Sequence, residues 1–299
     1  MKLKILSRLP WLLWVAFFIV LGTGLYLTSL NPDFELISLL TPLVLMGYPT
    51  VGALIASRQP QNAIGWIFLT FGLGPAIYIF SRGYATYALV TSPGALPGAR
   101  WFAWLQAWIT LPTFALGLTF LLLLYPNGRL LTFRWRSFAR LAALAVGMLV
   151  FLSAFQPGPL EGFEGVTNPV GLRVLDRLGS VPWLLFPLLL VCGLVSVTSL
   201  VIRFRRSRGD ERLQLKWFTY LVVMMFLIAP IGSIGLTFGV GWNILPLVTA
   251  FMLAALPAAV GLAILKHRLY DVDLVINKTI LYGLLGSLIA LVYTGIVVG

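Results

Sequence analysis

Side chains able to do chemistry are few in this chain, and they stand apart. The only histidine is His267 and the only cysteine is Cys192. A single Cys cannot form an internal disulfide, and one Cys with one His cannot make a zinc site. Cys192 lies inside an apolar run and reads as a small buried hydrophobe. His267 admits three readings: a phosphoacceptor, a metal ligand, or a surface residue complementing the negative C-terminal end of a helix. The third needs no partner cluster and is preferred. Asp271 and Asp273 are two apart, so on an extended segment they share a face. They could bind a cation, but Lys266, Arg268 and Lys278 beside them favour ordinary solvated pairing. No Gly-rich nucleotide loop follows a strand, and no Walker-type pattern occurs. No catalytic, cofactor-binding or metal-ligating residue is assigned, no cofactor is expected, and enzymatic activity is left open.

The elements that carry these residues are apolar. Of 299 residues, 60% are hydrophobic and only 10% charged. A soluble domain runs nearer 45–50% apolar and about 25% charged. The mean hydropathy of +0.97 agrees. The expected fold is all-α: one polytopic membrane domain over residues 1–299. A crossing helix needs roughly 20 apolar residues. Runs of that kind give nine helices, near Leu9–Leu30, Ile37–Ser57, Ile64–Tyr84, Trp101–Tyr125, Phe138–Phe155, Val181–Ile202, Trp217–Phe238, Ile244–Leu265 and Thr279–Gly299. The first is too long for a signal-peptide core and no cleavage site follows it, so it reads as an uncleaved helix.

Charge orients the bundle. With the N-terminus cytoplasmic and helices alternating, seventeen of the 21 Lys and Arg residues fall inside. Only Arg82, Arg100, Arg173 and Arg177 fall outside. That asymmetry is the positive-inside pattern. It also accounts for the net charge of +12 without nucleic acid, which is not an expected partner. Trp11, Trp66, Trp101, Trp104, Trp183, Trp217 and Trp242 fall near run ends, as interfacial anchors do. The sequon Asn277-Lys278-Thr279 falls inside and carries no weight.

The outer loops are short and rich in Pro and Gly; the longest, Pro157 to Ser180, cannot bury a core of its own. The runs hold no Asp, Glu, Lys or His near their middle, which counts against a proton- or sodium-coupled carrier. An uncharged carrier or lipid-handling protein stays open as the alternative, with a polar cavity around Gln106 or Asn243. The most basic stretch runs from Arg203 to Lys216. Arg203, Arg205, Arg206 and Arg208 are candidates for binding lipid headgroups, although fixing the topology would alone suffice for them.

Four stretches resemble one family. Arg58-Gln-Pro-Gln-Asn62-Ala-Ile-Gly65-Trp66 enters a helix, and Leu124-Tyr125-Pro126-Asn127-Gly128-Arg129-Leu130 forms a turn. Arg203 to Trp217 is a basic loop, and Ile264 to Thr279 is a polar connector followed by Leu281-Tyr282-Gly283. In this order they are similar to the membrane-embedded sensor region of bacterial two-component histidine kinases. Asn127 stands where that family usually has Asp.

The resemblance implies a chain that relays a membrane or extracytoplasmic stimulus by helix rearrangement, in the inner (plasma) membrane of a bacterium. It implies Arg268, Tyr270, Asp271, Asp273 and Asn277 as signal-coupling residues. Membrane lipids are expected partners, with a homodimer formed through the parent kinase and a response regulator reached only through the kinase core. That core, with its phosphoacceptor histidine and ATP-binding domain, is absent from these residues. Nine crossings leave the C-terminus outside, within an apolar run, so truncation before the kinase core is expected.

Overall fold

The computed structural model describes residues 2–31, 40–178, 181–209, 212, 215–216, 218–224 and 253–261. The described chain is mainly helical. The first helix, α1, is Lys2–Ser29, about 42 Å at 1.5 Å per residue. Two short helices follow, α2 (Leu40–Leu45) and α3 (Gly47–Arg58). Next comes α4 (Ala63–Thr86), which continues as a wider π turn over Tyr87–Thr91. A segmented helix then comprises α5 (Ala99–Trp108), α6 (Thr110–Ala115), a π segment (Leu116–Leu121) and α7 (Leu122–Leu124). The long helices α8 (Arg134–Phe155) and α9 (Val181–Arg206) complete the set, and residues 218–224 and 253–261 are also helical.

Five stretches are long and apolar enough to cross a membrane: Arg8–Ser29, Ala63–Thr91, Ala99–Leu124, Arg134–Phe155 and Pro187–Arg206. They match the first, third, fourth, fifth and sixth predicted runs. The second run, Ile37–Ser57, differs, because its helix breaks at Met46. Pro49 has no N–H to give the Leu45 carbonyl, and its ring crowds that turn. Runs seven and eight are described only in part, and run nine lies outside the described residues.

The bundle places large apolar side chains outward. On α1, Leu12, Val15, Ile19 and Tyr26 are exposed, while Phe17 and Leu21 pack with Ala76 of α4. On α8, Leu141, Leu144, Met148 and Phe151 are exposed at helical spacing. Outer stripes of this size suit lipid rather than water. With lipid outside, close packing must hold the helices together, and small residues permit it.

Helix α4 is the hub, touching α1, α3, α5 and α6. A Cβ on Gly52 of α3 would lie 2.7 Å from the Leu69 nitrogen of α4. One on Gly65 of α4 would lie 2.6 Å from the Ala56 nitrogen of α3. The two backbones therefore meet where side chains are missing. Trp14 Nε1 donates to Thr50 Oγ1 at 3.1 Å and ties α1 to α3.

The Pro157–Ser180 loop has more structure than its composition suggests. Strands β1 (Pro159–Leu160) and β2 (Phe163–Thr167) pair antiparallel. Leu160 and Phe163 pack with Ala85 and Ala103, so the hairpin closes over α4 and α5. The loop borrows its core from the helices, which is why its own length did not forbid one.

Gly52→Val forces α3 and α4 apart and is expected to cost about 1–3 kcal/mol, as overpacking does. A Cβ on Gly147 meets nothing within 4 Å, so Gly147→Val should leave stability nearly unchanged. Thermal unfolding of detergent-solubilised protein separates the two, and equal melting temperatures would refute the close-packing account.

Candidate functional site

The end of the bundle opposite the hairpin carries Arg58, Arg129, Arg134, Arg136, Arg140 and the basic end of α9. Three sequence-distant stretches meet there. The first is the turn from α3 to α4. Gln59 N donates to Ile55 O at 2.7 Å and ends α3. Asn62 caps α4, its side chain accepting from Ile64 N at 3.1 Å. Trp66 Nε1 reaches back to Pro60 O at 2.9 Å and locks the turn. A polar side chain at this position satisfies an amide that the helix itself leaves unpaired.

The second stretch is the turn after α7. The Tyr125–Pro126 peptide is cis, and Gly128 has φ +69°. Gly128 N donates to Leu124 O at 2.7 Å. A Cβ on Gly128 would lie 2.8 Å from Asn62 Oδ1, so the second turn rests on the first. Glycine satisfies both needs, left-handed backbone and close approach.

The third stretch is the end of α9. Arg203 is buried, 7% exposed. Its Nη2 donates to Leu123 O at 3.1 Å and to Arg129 O at 2.8 Å. The Leu123 carbonyl belongs to the last turn of α7, where carbonyls lose helical partners and carry negative partial charge. One guanidinium thus joins α9 to both ends of the Tyr125–Arg129 turn. Beyond α9, Phe218 stacks on Tyr125, with ring centroids 3.9 Å apart and planes 25° apart. Arg212 lies over the Phe204 ring at 5.7 Å.

Beneath this junction lies the main apolar core. Tyr48, Ile64, Phe68, Leu121, Tyr125, Leu200, Phe218 and Val260 are all part of it. Residues 253–261 pack on α3. Tyr48 Oη donates to Leu253 O at 2.8 Å, and a Cβ on Gly47 would meet the Pro257 ring at 3.0 Å. A Cβ on Gly261 would lie 3.2 Å from Val51.

The headgroup candidates divide. Arg205, Arg206 and Arg208 are exposed, whereas Arg203 is turned into the protein and bonded to carbonyls. Arg203 serves as a structural tie between α9 and the turn. The coupling candidates Arg268, Tyr270, Asp271, Asp273 and Asn277, together with His267, lie outside the described residues. Gln106 is buried and gives its Nε2 to Glu161 O at 3.1 Å, holding the hairpin. Asn243, the other polar residue singled out for a carrier cavity, lies outside the described residues.

Sequence reasoning missed the Arg203 tie, but one signal was available. Ser196, Ser199 and Arg203 fall at i, i+3 and i+7, on one helix face. All three are buried, while Leu190, Val191 and Leu194 face outward. A polar stripe on an otherwise apolar helix marks the side turned inward.

No protein-family model matches this sequence, and no curated protein or solved structure matches it.

Arg203→Met removes both donors and leaves two carbonyls unpaired, at a cost of about 1.5–3 kcal/mol for a charged donor. The local consequence is more specific. Trypsin cleavage after Arg129, an exposed residue in the released turn, should quicken several-fold relative to cleavage after Arg173 at the far end. An unchanged ratio would refute the tie.

Proposed function

We propose that this chain is the membrane-embedded receiving and relay region of a bacterial two-component sensor histidine kinase. On this reading it crosses the plasma membrane nine times with its N-terminus in the cytoplasm. The observation that carries the proposal is the meeting of three stretches on which the family resemblance rests. Arg58–Trp66, Leu124–Leu130 and the start of Arg203–Trp217 are far apart in sequence, yet they share one junction at the basic end. Conformationally demanding residues gathered at one end of a bundle suit a transmission element better than scattered turns would.

The mechanism is a shift in helix packing. A stimulus in the bilayer or at the hairpin end moves the hub α4 against α3. Residues 253–261 pack on α3 and lead along the chain into Lys266–Lys278. That connector passes the shift toward a dimeric kinase core, where the phosphoacceptor and ATP-binding site reside. The ligand's differential affinity for two packings supplies the free energy. No catalytic group is needed in the membrane region itself.

The test uses membranes from cells expressing the gene in its native genomic context. Incubation with labelled ATP should give acid-labile phosphohistidine on this polypeptide or on a chain that co-purifies with it. Replacing Tyr270, Asp271 and Asp273 together with Ala, Asn and Asn should change the steady-state label about threefold or more, the scale of a coupling mutation. No phosphohistidine in either place would overturn the proposal. Phosphohistidine unaffected by the triple replacement would remove the coupling role from the connector.

A further inference from the structure

The basic end also holds a groove that the junction does not use. It is a cavity of about 480 Å³, open to the surface, between the segment entering α8 and the end of α9. Leu131, Phe133, Trp135 and Ile202 form apolar walls, and Arg134 and Arg206 stand at it. Both arginines are exposed. The acidic side chains Glu161 and Asp176 belong to the hairpin end. Asp210 and Glu211, the acids nearest Arg206 in sequence, lie outside the described residues.

The groove adjoins the junction. Arg203 fixes Arg129 to α9, which sets where the chain from Leu131 to Trp135 must run before α8 begins. Arg136 is occupied over the Phe133 ring at 5.1 Å and braces that wall. Arg134 and Arg206 come from different helices and line the same cavity. An apolar trough beside two guanidiniums, at the end of membrane-length helices, matches one ligand chemistry. It suits a phosphodiester with alkyl chains attached. A water-soluble phosphate would leave the Leu131, Phe133 and Ile202 walls without a partner. A neutral lipid would leave the two charges without one.

We infer that this groove is a binding site for one anionic phospholipid, its phosphate held between Arg134 and Arg206 and its first methylenes against Phe133, Trp135 and Ile202. The inference rests on the membrane placement of the helices and not on the kinase reading, so either can fail alone.

The test is native mass spectrometry of the full chain released from nanodiscs of mixed phosphatidylglycerol and phosphatidylcholine. Wild type should retain one phosphatidylglycerol. R134Q/R206Q should retain it roughly tenfold less, and R134K/R206K should restore it. R100Q/R173Q, which removes two arginines from the hairpin end, should behave as wild type. Ile202→Trp fills the cavity without altering charge and should also lower retention. Equal retention by wild type and R134Q/R206Q would overturn the site. So would equal losses in the two basic pairs, which would mark diffuse attraction. So would displacement of the lipid by inorganic phosphate, or full retention by a folded Ile202→Trp protein.

Discussion

A cation withdrawn from water must be repaid in hydrogen bonds, and Arg203 is the place where this bundle meets that demand. An unpaired buried charge costs several kcal/mol, whereas carbonyls at a helix end are already short of donors. Arg203 Nη2 and the Leu123 and Arg129 carbonyls therefore satisfy one another. The bond is directional, so it also sets distance and rotation between α9 and α7. Apolar packing alone would leave that rotation soft, because lipid is as good a partner for Leu as another helix is.

The rest of the junction follows from that restraint. With the Tyr125–Arg129 turn held on α9, Tyr125 faces Phe218 and Gly128 faces Asn62. Asn62 is itself committed to the first turn of α4. Helix α4 is committed in turn to α3 through Gly52 and Gly65, where no side chain can intervene. Each step is short-range and has little slack. A bundle built this way has few intermediate arrangements, since interlocked contacts tend to change together or not at all.

Much of this was legible in the residues, for reasons that also explain the gaps. Length and apolarity identified five of the runs as long helices because backbone amides in lipid leave the chain little alternative. Hydropathy misjudged the ends. Helix α8 begins at Arg134 rather than Phe138, since arginines in its first turns reach the interface without leaving the helix. The break at Met46 follows from Pro49, a local backbone effect that an average over twenty residues conceals. The β-hairpin packs against Ala85 and Ala103, which are distant in sequence. At the site, the Asn62 cap and the Pro126–Gly128 turn could be read directly. Arg203 was legible only through its helical phase with Ser196 and Ser199, because a basic loop after an apolar run otherwise looks the same whether its first arginine points out or in.

That last ambiguity bears on how basic loops in membrane proteins divide their work. Arg203, Arg205 and Arg206 sit within four residues and carry the same charge, yet the helix turns them through different directions. Arg203 shares the inward face with Ser196 and Ser199, while its two neighbours are exposed. Counting charges for topology treats all three alike, and the positive-inside bias is satisfied by any of them. Only the inward one determines tertiary structure. Its substitution by a neutral residue would barely alter the charge balance but would unfasten a turn. The exposed pair could be exchanged for lysine with little effect on the fold. The number of arginines in the loop thus reports orientation, and their helical phase reports structure.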